Sequence, residues 1–253
     1  SQHFTSMITL FSILKSTLAL SRLSLLLYTL LIYLLRLPVL LFFVWRSKAD
    51  PAYRQRFSER FALQQVPATT VGGIVVHAVS MGEVVAATPL IEKLLLQYPD
   101  LPVTVTCTTP TGSTRIKAAF GERVHHCYLP FDTPGANRRF LRKLAPQLIV
   151  LLETELWPNL IREASAQHVP VVLVNARLSA KSARGYRRFR ALVQPMLQQL
   201  SLILTQDDAS RRRFKALLGQ QSVLIPGTSR QKIQNSGNLK FEMTPRADLA
   251  LRA

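Results

Sequence analysis

Acidic residues are scarce in this chain. Its 253 residues hold 14 Asp and Glu against 32 Lys and Arg, for a formal net charge of +18. That imbalance points to an anionic partner: nucleic acid, an acidic membrane surface or a phosphorylated substrate. The plainer reading is a solvated basic face. Cysteine is almost absent. Cys107 and Cys127 both lie in apolar runs, where a thiol packs as a small hydrophobe, so neither a disulfide nor a thiolate metal site is expected. The five His show no zinc-ligand spacing, and the adjacent pair His125-His126 would point to opposite faces of a strand. No metal is therefore expected. Gly-x-Gly-x-x-Gly and Walker A sequences are both missing, which leaves dinucleotide and P-loop nucleotide binding without a motif. No small-x-small site follows the N-terminal apolar run, which argues against a cleaved signal peptide.

What the chain does have begins with that apolar run. After a mixed, weakly amphipathic extension (1–22), residues 23–45 are almost wholly apolar, interrupted by Arg36 and Pro38. As a helix at about 1.5 Å per residue, the run is long enough for a hydrocarbon core of about 30 Å. Arg36 near its middle is costly, roughly 2.5–3.5 kcal/mol on an insertion scale. Two arrangements compete: a tilted span, or a helix lying in one leaflet with Arg36 snorkelling. Residues 46–70 carry Arg46, Lys48, Arg54, Arg56 and Arg60, a basic juxtamembrane segment that marks the cytoplasmic side, and end in a Pro-containing linker.

From residue 71 to 236, short apolar runs alternate with amphipathic ones. Strands are expected at 74–78, 103–107, 125–129, 148–152, 171–174 and 202–205. Helices are expected at 89–97, 113–120, 137–144, 159–167, 183–200 and 209–218, the fifth with Tyr186, Phe189, Val193, Met196, Leu197 and Leu200 on one face. This alternation implies an α/β, Rossmann-like parallel sheet with right-handed crossovers. Ligands bind such sheets beyond the carboxyl ends of the strands, so the loops there carry the functional information.

The first loop holds Ser80, Gly82 and Glu83. A carboxylate at a strand-to-helix turn suits a general base, but Ser80-x-x-Glu83 also matches a capping box. A helix starting at Ser80 would enclose Pro89, at roughly 3 kcal/mol or a kink. One starting at Pro89 with Thr88 as N-cap would leave Glu83 in a loop. Spacing alone leaves both readings open. The second loop, Thr109-Pro110-Thr111-Gly112-Ser113, offers hydroxyls and N–H groups to an anion, or a simple N-cap. Asp132 reads as an Asx-turn residue. Glu153 and Glu155 would share one side if their strand continued, and paired carboxylates can divide acid and base roles; helix N-terminal acids ahead of Pro158 are the alternative. Asn175-x-Arg177-x-Ser179 offers an anion fork from Arg177. Three basic sets follow the loops: Arg138, Arg139, Arg142 and Lys143; Arg184, Arg187, Arg188 and Arg190; and Arg211-Arg212-Arg213. Each alone is a solvated helix face. Beside a membrane anchor they favour anionic inner-leaflet phospholipids, at about 1 kcal/mol per basic residue near the surface.

Taken together, the ordered pieces resemble the 3-deoxy-D-manno-octulosonic acid (Kdo) transferases of lipopolysaccharide assembly, glycosyltransferase family 30. They are Ala52-Tyr53-Arg54-Gln55-Arg56 with Glu59-Arg60-Phe61, His77 to Glu83, Thr109 to Ser113, Leu129-Pro130-Phe131-Asp132, Glu153 to Asn159, Asn175 to Ser179 and Gly237-Asn238-Leu239-Lys240-Phe241. The resemblance implies the N-terminal half of a GT-B enzyme, inverting transfer from CMP-Kdo to a lipid A precursor, and Glu83 as the base. It also implies Ser80, Gly82, Thr109, Thr111, Gly112, Ser113, Glu153, Glu155, Asn175 and Arg177 around the acceptor. No cofactor or metal is implied. CMP-Kdo would bind mainly a C-terminal donor domain, of which residues 237–253 would be only the leading linker. The expected setting is the cytoplasmic face of a Gram-negative-type inner membrane, with little activity from this chain alone. A non-catalytic membrane module that binds anionic lipid or a partner subunit is the alternative. Nucleic acid is not expected as a partner, since no recognition motif accompanies the charge.

Overall fold

The computed structural model describes residues 2–49, 51–219 and 232–237, with side chains from Leu18 onward. It opens with one continuous helix, α1 (Gln2–Arg46), whose segment Leu18–Arg46 is long and apolar enough to cross a membrane. Short 3₁₀ segments at Pro51–Tyr53, Phe57–Phe61 and Ala68–Thr70 follow.

Seven parallel strands then form one sheet. They are β1 (Ile74–His77), β2 (Val103–Cys107), β3 (His125–Tyr128), β4 (Leu148–Leu152), β5 (Val171–Ala176), β6 (Leu202–Thr205) and β7 (Ile233–Asn235), in the spatial order β3-β2-β1-β4-β5-β6-β7. The strands are parallel throughout, but the order in which the chain adds them reverses between β1 and β4, the switch point of a doubly wound fold. Both faces of the strands are buried. Val75, Ile149, Leu151 and Leu173 enter one core, and Ile74, Val76, Val150 and Leu152 the other. That explains why these strands read as unbroken apolar runs instead of alternating ones. Helices α2 (Met81–Gln97) and α3 (Pro110–Phe120) supply Val84, Ile91, Ile116 and Phe120 to the second core. The opposite core takes Phe140 and Leu141 of α4 (Pro134–Leu144), Leu160 and Ile161 of α5 (Pro158–Ala166), Leu197 of α7 (Arg190–Gln199) and Phe214 of α8 (Asp208–Leu218).

The α/β, Rossmann-like expectation is borne out, with a short α6 (Ala180–Arg188) included. Two expectations about helices are corrected. The first helix of the sheet begins at Ser80, not at Thr88, and Pro89 lies inside it. Just before it, Thr88 turns its hydroxyl onto the Val84 carbonyl at 2.8 Å. The long helix expected at 183–200 is two helices broken at Phe189, which is 66% exposed and not on a core face. The break lets α7 turn so that Val193, Met196 and Leu197 are buried. β7 was not foreseen. Of the pieces quoted above, 238–241 lie outside the described residues.

The segment after α1 packs against the sheet more closely than a linker would. Lys143 Nζ donates to the Gln64 carbonyl at 2.6 Å, and Arg139 Nη2 to that of Phe61 at 2.7 Å.

Candidate active site at the switch point

The loops after β1 and β4 meet at the switch point, and each brings carboxylates. Glu83 occupies the first turn of α2. Its N–H faces Ser80 Oγ at 3.4 Å, its Oε2 accepts from Val79 N–H at 2.8 Å, and its Oε1 accepts from Ser80 Oγ at 3.2 Å. The capping geometry is therefore real. It does not exclude chemistry, because a carboxylate offers about four lone pairs and these bonds take two. The half-buried side chain is held at the mouth of the sheet by its own helix terminus.

Beyond β4 the strand does not continue. Glu153 takes a left-handed conformation (φ 55°), so Glu153 and Glu155 do not share a face by strand alternation. The turn nevertheless folds Glu155 back toward Glu83. Burial first, then the charges of Glu83 and Glu153, push the Glu155 carboxyl up to about 7. Tyr186 of α6, expected on a plain apolar face, also feels Glu155: burial and then that charge raise its phenol.

The second loop divides in two. Thr108 N–H and the hydroxyls of Thr108 and Thr109 reach the Val79 carbonyl at 3.1, 3.3 and 3.4 Å, zipping this loop to the first. Thr109 caps α3 through Gly112 N–H at 3.1 Å, and Thr111 stays exposed. Gly112 packs so tightly that a Cβ there would lie 3.0 Å from Thr109 Oγ1 and 3.2 Å from Cys107 Cβ. Ser113 turns inward, to Arg56 Nη1 at 3.0 Å and His126 Nε2 at 2.8 Å. Ser113 and Gly112 thus shape the loop from beneath. At the fourth loop, buried Asn175 adopts φ 56° beside a register shift in β5, a conformation Asn tolerates well, while Arg177 is exposed. Thr154 Oγ1 ties the two acidic-loop neighbours together by donating to the Arg177 carbonyl.

Three groups have a larger part than their sequence context suggested. Asp132 is buried, and its carboxylate accepts from Tyr28 Oη (2.9 Å), Asn137 Nδ2 (2.7 Å) and the N–H groups of Asn159 (3.0 Å) and Leu160 (2.8 Å). It caps α5 and grips α1 at once. Burial raises its pKa despite these donors. Arg56 bridges Glu59 (2.7 Å) and the His126 carbonyl (2.7 Å), while Glu59 accepts from Tyr128 N–H at 2.8 Å. Arg60 donates to the Thr108 carbonyl at 2.9 Å and lies between the rings of Phe43 (4.5 Å) and Tyr128 (4.3 Å); burial lowers its pKa. Both arginines read from sequence as membrane-surface charge. Beyond their place in the pieces that carry the family resemblance, the sequence sign of their role was an acid, Glu59, lodged in a basic run.

Between α1 and the carboxyl edge of the sheet lies a cavity of about 500 Å³. Ile32, Val39, Phe42 and Phe43 make its apolar wall, with Arg36 among them. Val79, Thr108, Thr109, Asp132, Glu155 and Trp157 make its sheet-side wall. Among the described residues no three His, Cys, Asp or Glu side chains are placed to hold a metal ion.

A doubly wound sheet with carboxylates at its switch point and a largely apolar cavity beside that edge is the architecture of an α/β, Rossmann-like domain. The family model for 3-deoxy-D-manno-octulosonic-acid transferase matches residues 55–243, and the chain belongs to this family. It is 41% identical over 223 residues to the 3-deoxy-D-manno-octulosonic acid transferase of Haemophilus influenzae, covering 88% of this chain and 50% of that protein. It is 38% identical to the transferase of Bordetella pertussis (84% of this chain, 49% of that one). It is 35% identical to a probable mitochondrial counterpart in Arabidopsis thaliana (78% and 42%). The chain thus spans about half the length of the curated relatives it matches.

Proposed function

We propose that this chain is the acceptor-binding half of a lipopolysaccharide glycosyltransferase, working on a lipid A precursor with CMP-Kdo as donor. The observation that carries the reading is the placement of Glu83 at the switch point, on the loop whose Val79 lines a largely apolar cavity that has Thr108, Thr109, Asp132 and Glu155 as polar groups on its sheet side. Acyl chains would lie along Ile32, Val39 and Phe43. The sugar would face Thr108, Thr109 and the carboxylates. Arg36 and the exposed Arg177 would meet phosphate. Glu83 would take the proton of the attacking sugar hydroxyl as its oxygen bonds to the anomeric carbon of Kdo. The bond to CMP breaks with its electron pair leaving on the phosphate, and attack from the opposite side inverts the centre. The helix terminus that caps Glu83 fixes its direction, which general-base catalysis requires. CMP-Kdo would be held mainly by a domain corresponding to the half of the relatives that this chain does not span. The chain by itself is expected to bind acceptor with little transfer.

The test joins this chain to the remaining half of the Haemophilus influenzae relative and measures Kdo transfer to lipid A precursor. Glu83→Gln should lower kcat by about 10²–10⁴-fold with acceptor binding retained. A near-normal rate in a folded variant would leave Glu83 with capping alone.

A further inference from the structure

The exposure of α1 is periodic. Leu25, Tyr28, Thr29, Ile32, Arg36 and Phe43 are partly covered by the domain, whereas Leu23, Leu26, Leu30, Leu34, Leu37 and Leu41 are 54 to 65% exposed. At 100° per residue these sets fall on opposite faces. The covered face carries the polar residues. Tyr28 reaches Asp132, Thr29 Oγ1 donates to Asn159 Oδ1 at 3.1 Å, and Arg36 lies 5.6 Å from the Phe61 ring. Phe43 closes the row against Tyr53, Phe57 and Phe131. The exposed face holds this leucine stripe, and Leu20, Leu27, Leu31 and Leu35 widen it on one flank.

The covered face runs from Ser21 to Phe43, about 33 Å at 1.5 Å per residue, which is as long as a hydrocarbon core is thick. A helix crossing the bilayer with these contacts intact would drag the domain, including buried Asp132 and Arg60, into lipid. Breaking the contacts would instead take one of its four donors from buried Asp132 and the Thr29 hydroxyl from Asn159. Charge agrees with neither form of crossing. Arg22 and Arg162 flank one end of this stretch, and Arg46 and Arg54 the other. A span would separate the two basic ends, whereas one leaflet can meet both. The corner between α6 and α7 lies along the same flank. Arg188 and Phe189 face Leu20, Leu27 and Leu31 of α1 across a groove of about 600 Å³, and Phe189 is 66% exposed.

We propose that α1 lies in the plane of one anionic leaflet, its leucine stripe in the acyl chains, and that Phe189 enters the same leaflet with Arg187 and Arg188 at headgroup level. The proposal rests on membrane association of the chain but not on the transfer chemistry. Single cysteines at Leu23, Leu30, Leu34, Leu41 and Phe189 would carry nitroxides, the native Cys107 and Cys127 being buried. The full chain would be bound to phosphatidylethanolamine–phosphatidylglycerol vesicles and depth read from oxygen against nickel-chelate accessibility. The expected result is one common depth for the four α1 sites and an acyl-level depth for the label at 189. A profile deepest at 30 and 34, with 23 and 41 near opposite surfaces about 27 Å apart, overturns the in-plane helix. A label at 189 as accessible to the chelate as one at Leu96, an exposed residue of α2, overturns the corner. Failure to bind the vesicles overturns both, and leaves the Glu83 experiment untouched.

Discussion

Asp132 links more of this molecule than any turn residue needs to. Its carboxylate joins the N-terminus of α5 to Tyr28 of α1, so Asp132→Ala should leave four donors without their acceptor. The expected loss is about 3 kcal/mol or more, measured by denaturant unfolding in detergent. Tyr28→Phe removes one of the four and should cost about 1–2 kcal/mol; an equal loss from both variants would place the effect in α1 alone. Glu155 carries the opposite sign. Its folded carboxyl titrates near 7 against an ordinary 4.5, so the folded state holds the proton that the unfolded state releases. Stability from this group is full below pH 4.5 and is lost as pH rises through 7. Glu155→Gln should therefore stabilise the chain at pH 8, by about 1–2 kcal/mol after allowing for its partial exposure, and do little at pH 4. Parallel unfolding curves at the two pH values check this, and an equal gain at both would assign the change to packing.

Helix α2 shows where sequence and structure part. A proline at the ninth position of 17 argued for a later start, yet the capping bonds of Ser80 and the buried row Val84, Ala87 and Ile91 outweigh the one lost hydrogen bond. If that balance is right, Pro89→Ala should stabilise the chain, by roughly 1 kcal/mol or more, without moving the helix start. Melting curves test it; a destabilised variant would mean the ring itself fills an essential space. The strands were legible because parallel strands buried on both faces read as uninterrupted apolar runs, as in Leu148–Leu152. The gathering of these loops on one edge was legible because parallel strands place all their carboxyl ends there. The break at Phe189 was not legible, since its apolar spacing continues through it. Nor were the distant contacts of Arg56, Arg60 and Asp132, made to Ser113, Thr108 and Tyr28 about 50 to 100 residues away in sequence. Local pattern carries no sign of such contacts, and a buried arginine and a headgroup-facing one look alike until the sheet is assembled. The same holds for the basic sets: Arg138 pairs with Glu163 at 3.0 Å and Arg213 donates to the Leu178 carbonyl at 2.8 Å, which leaves less of that charge for a membrane than its count suggests.

At the scale of the whole molecule, α1 is both an apolar surface and one wall of the cavity, and Arg36 distinguishes the two roles. Were α1 merely a span, Arg36 would be its main defect, and Arg36→Leu would favour insertion by roughly 2.5–3.5 kcal/mol. In the structure Arg36 faces the domain, lining the cavity together with Arg60 and Trp157, on the face opposite the leucine stripe. Its charge then belongs to whatever enters that cavity. Arg36→Leu should leave partition into phosphatidylglycerol-containing vesicles within about twofold. It should weaken binding of a bisphosphorylated lipid A precursor by about tenfold, the ordinary worth of one charged hydrogen bond. Co-sedimentation with vesicles gives the first quantity and titration calorimetry in detergent the second. A variant that inserts more strongly and binds the precursor unchanged would return Arg36 to the lipid side and detach the cavity from the acceptor. The opposite outcome would make this one helix the reason that membrane attachment and acceptor recognition cannot be separated in this fold. The wall that would hold the acyl chains would then be the inner face of the element whose outer face lies in the leaflet they come from.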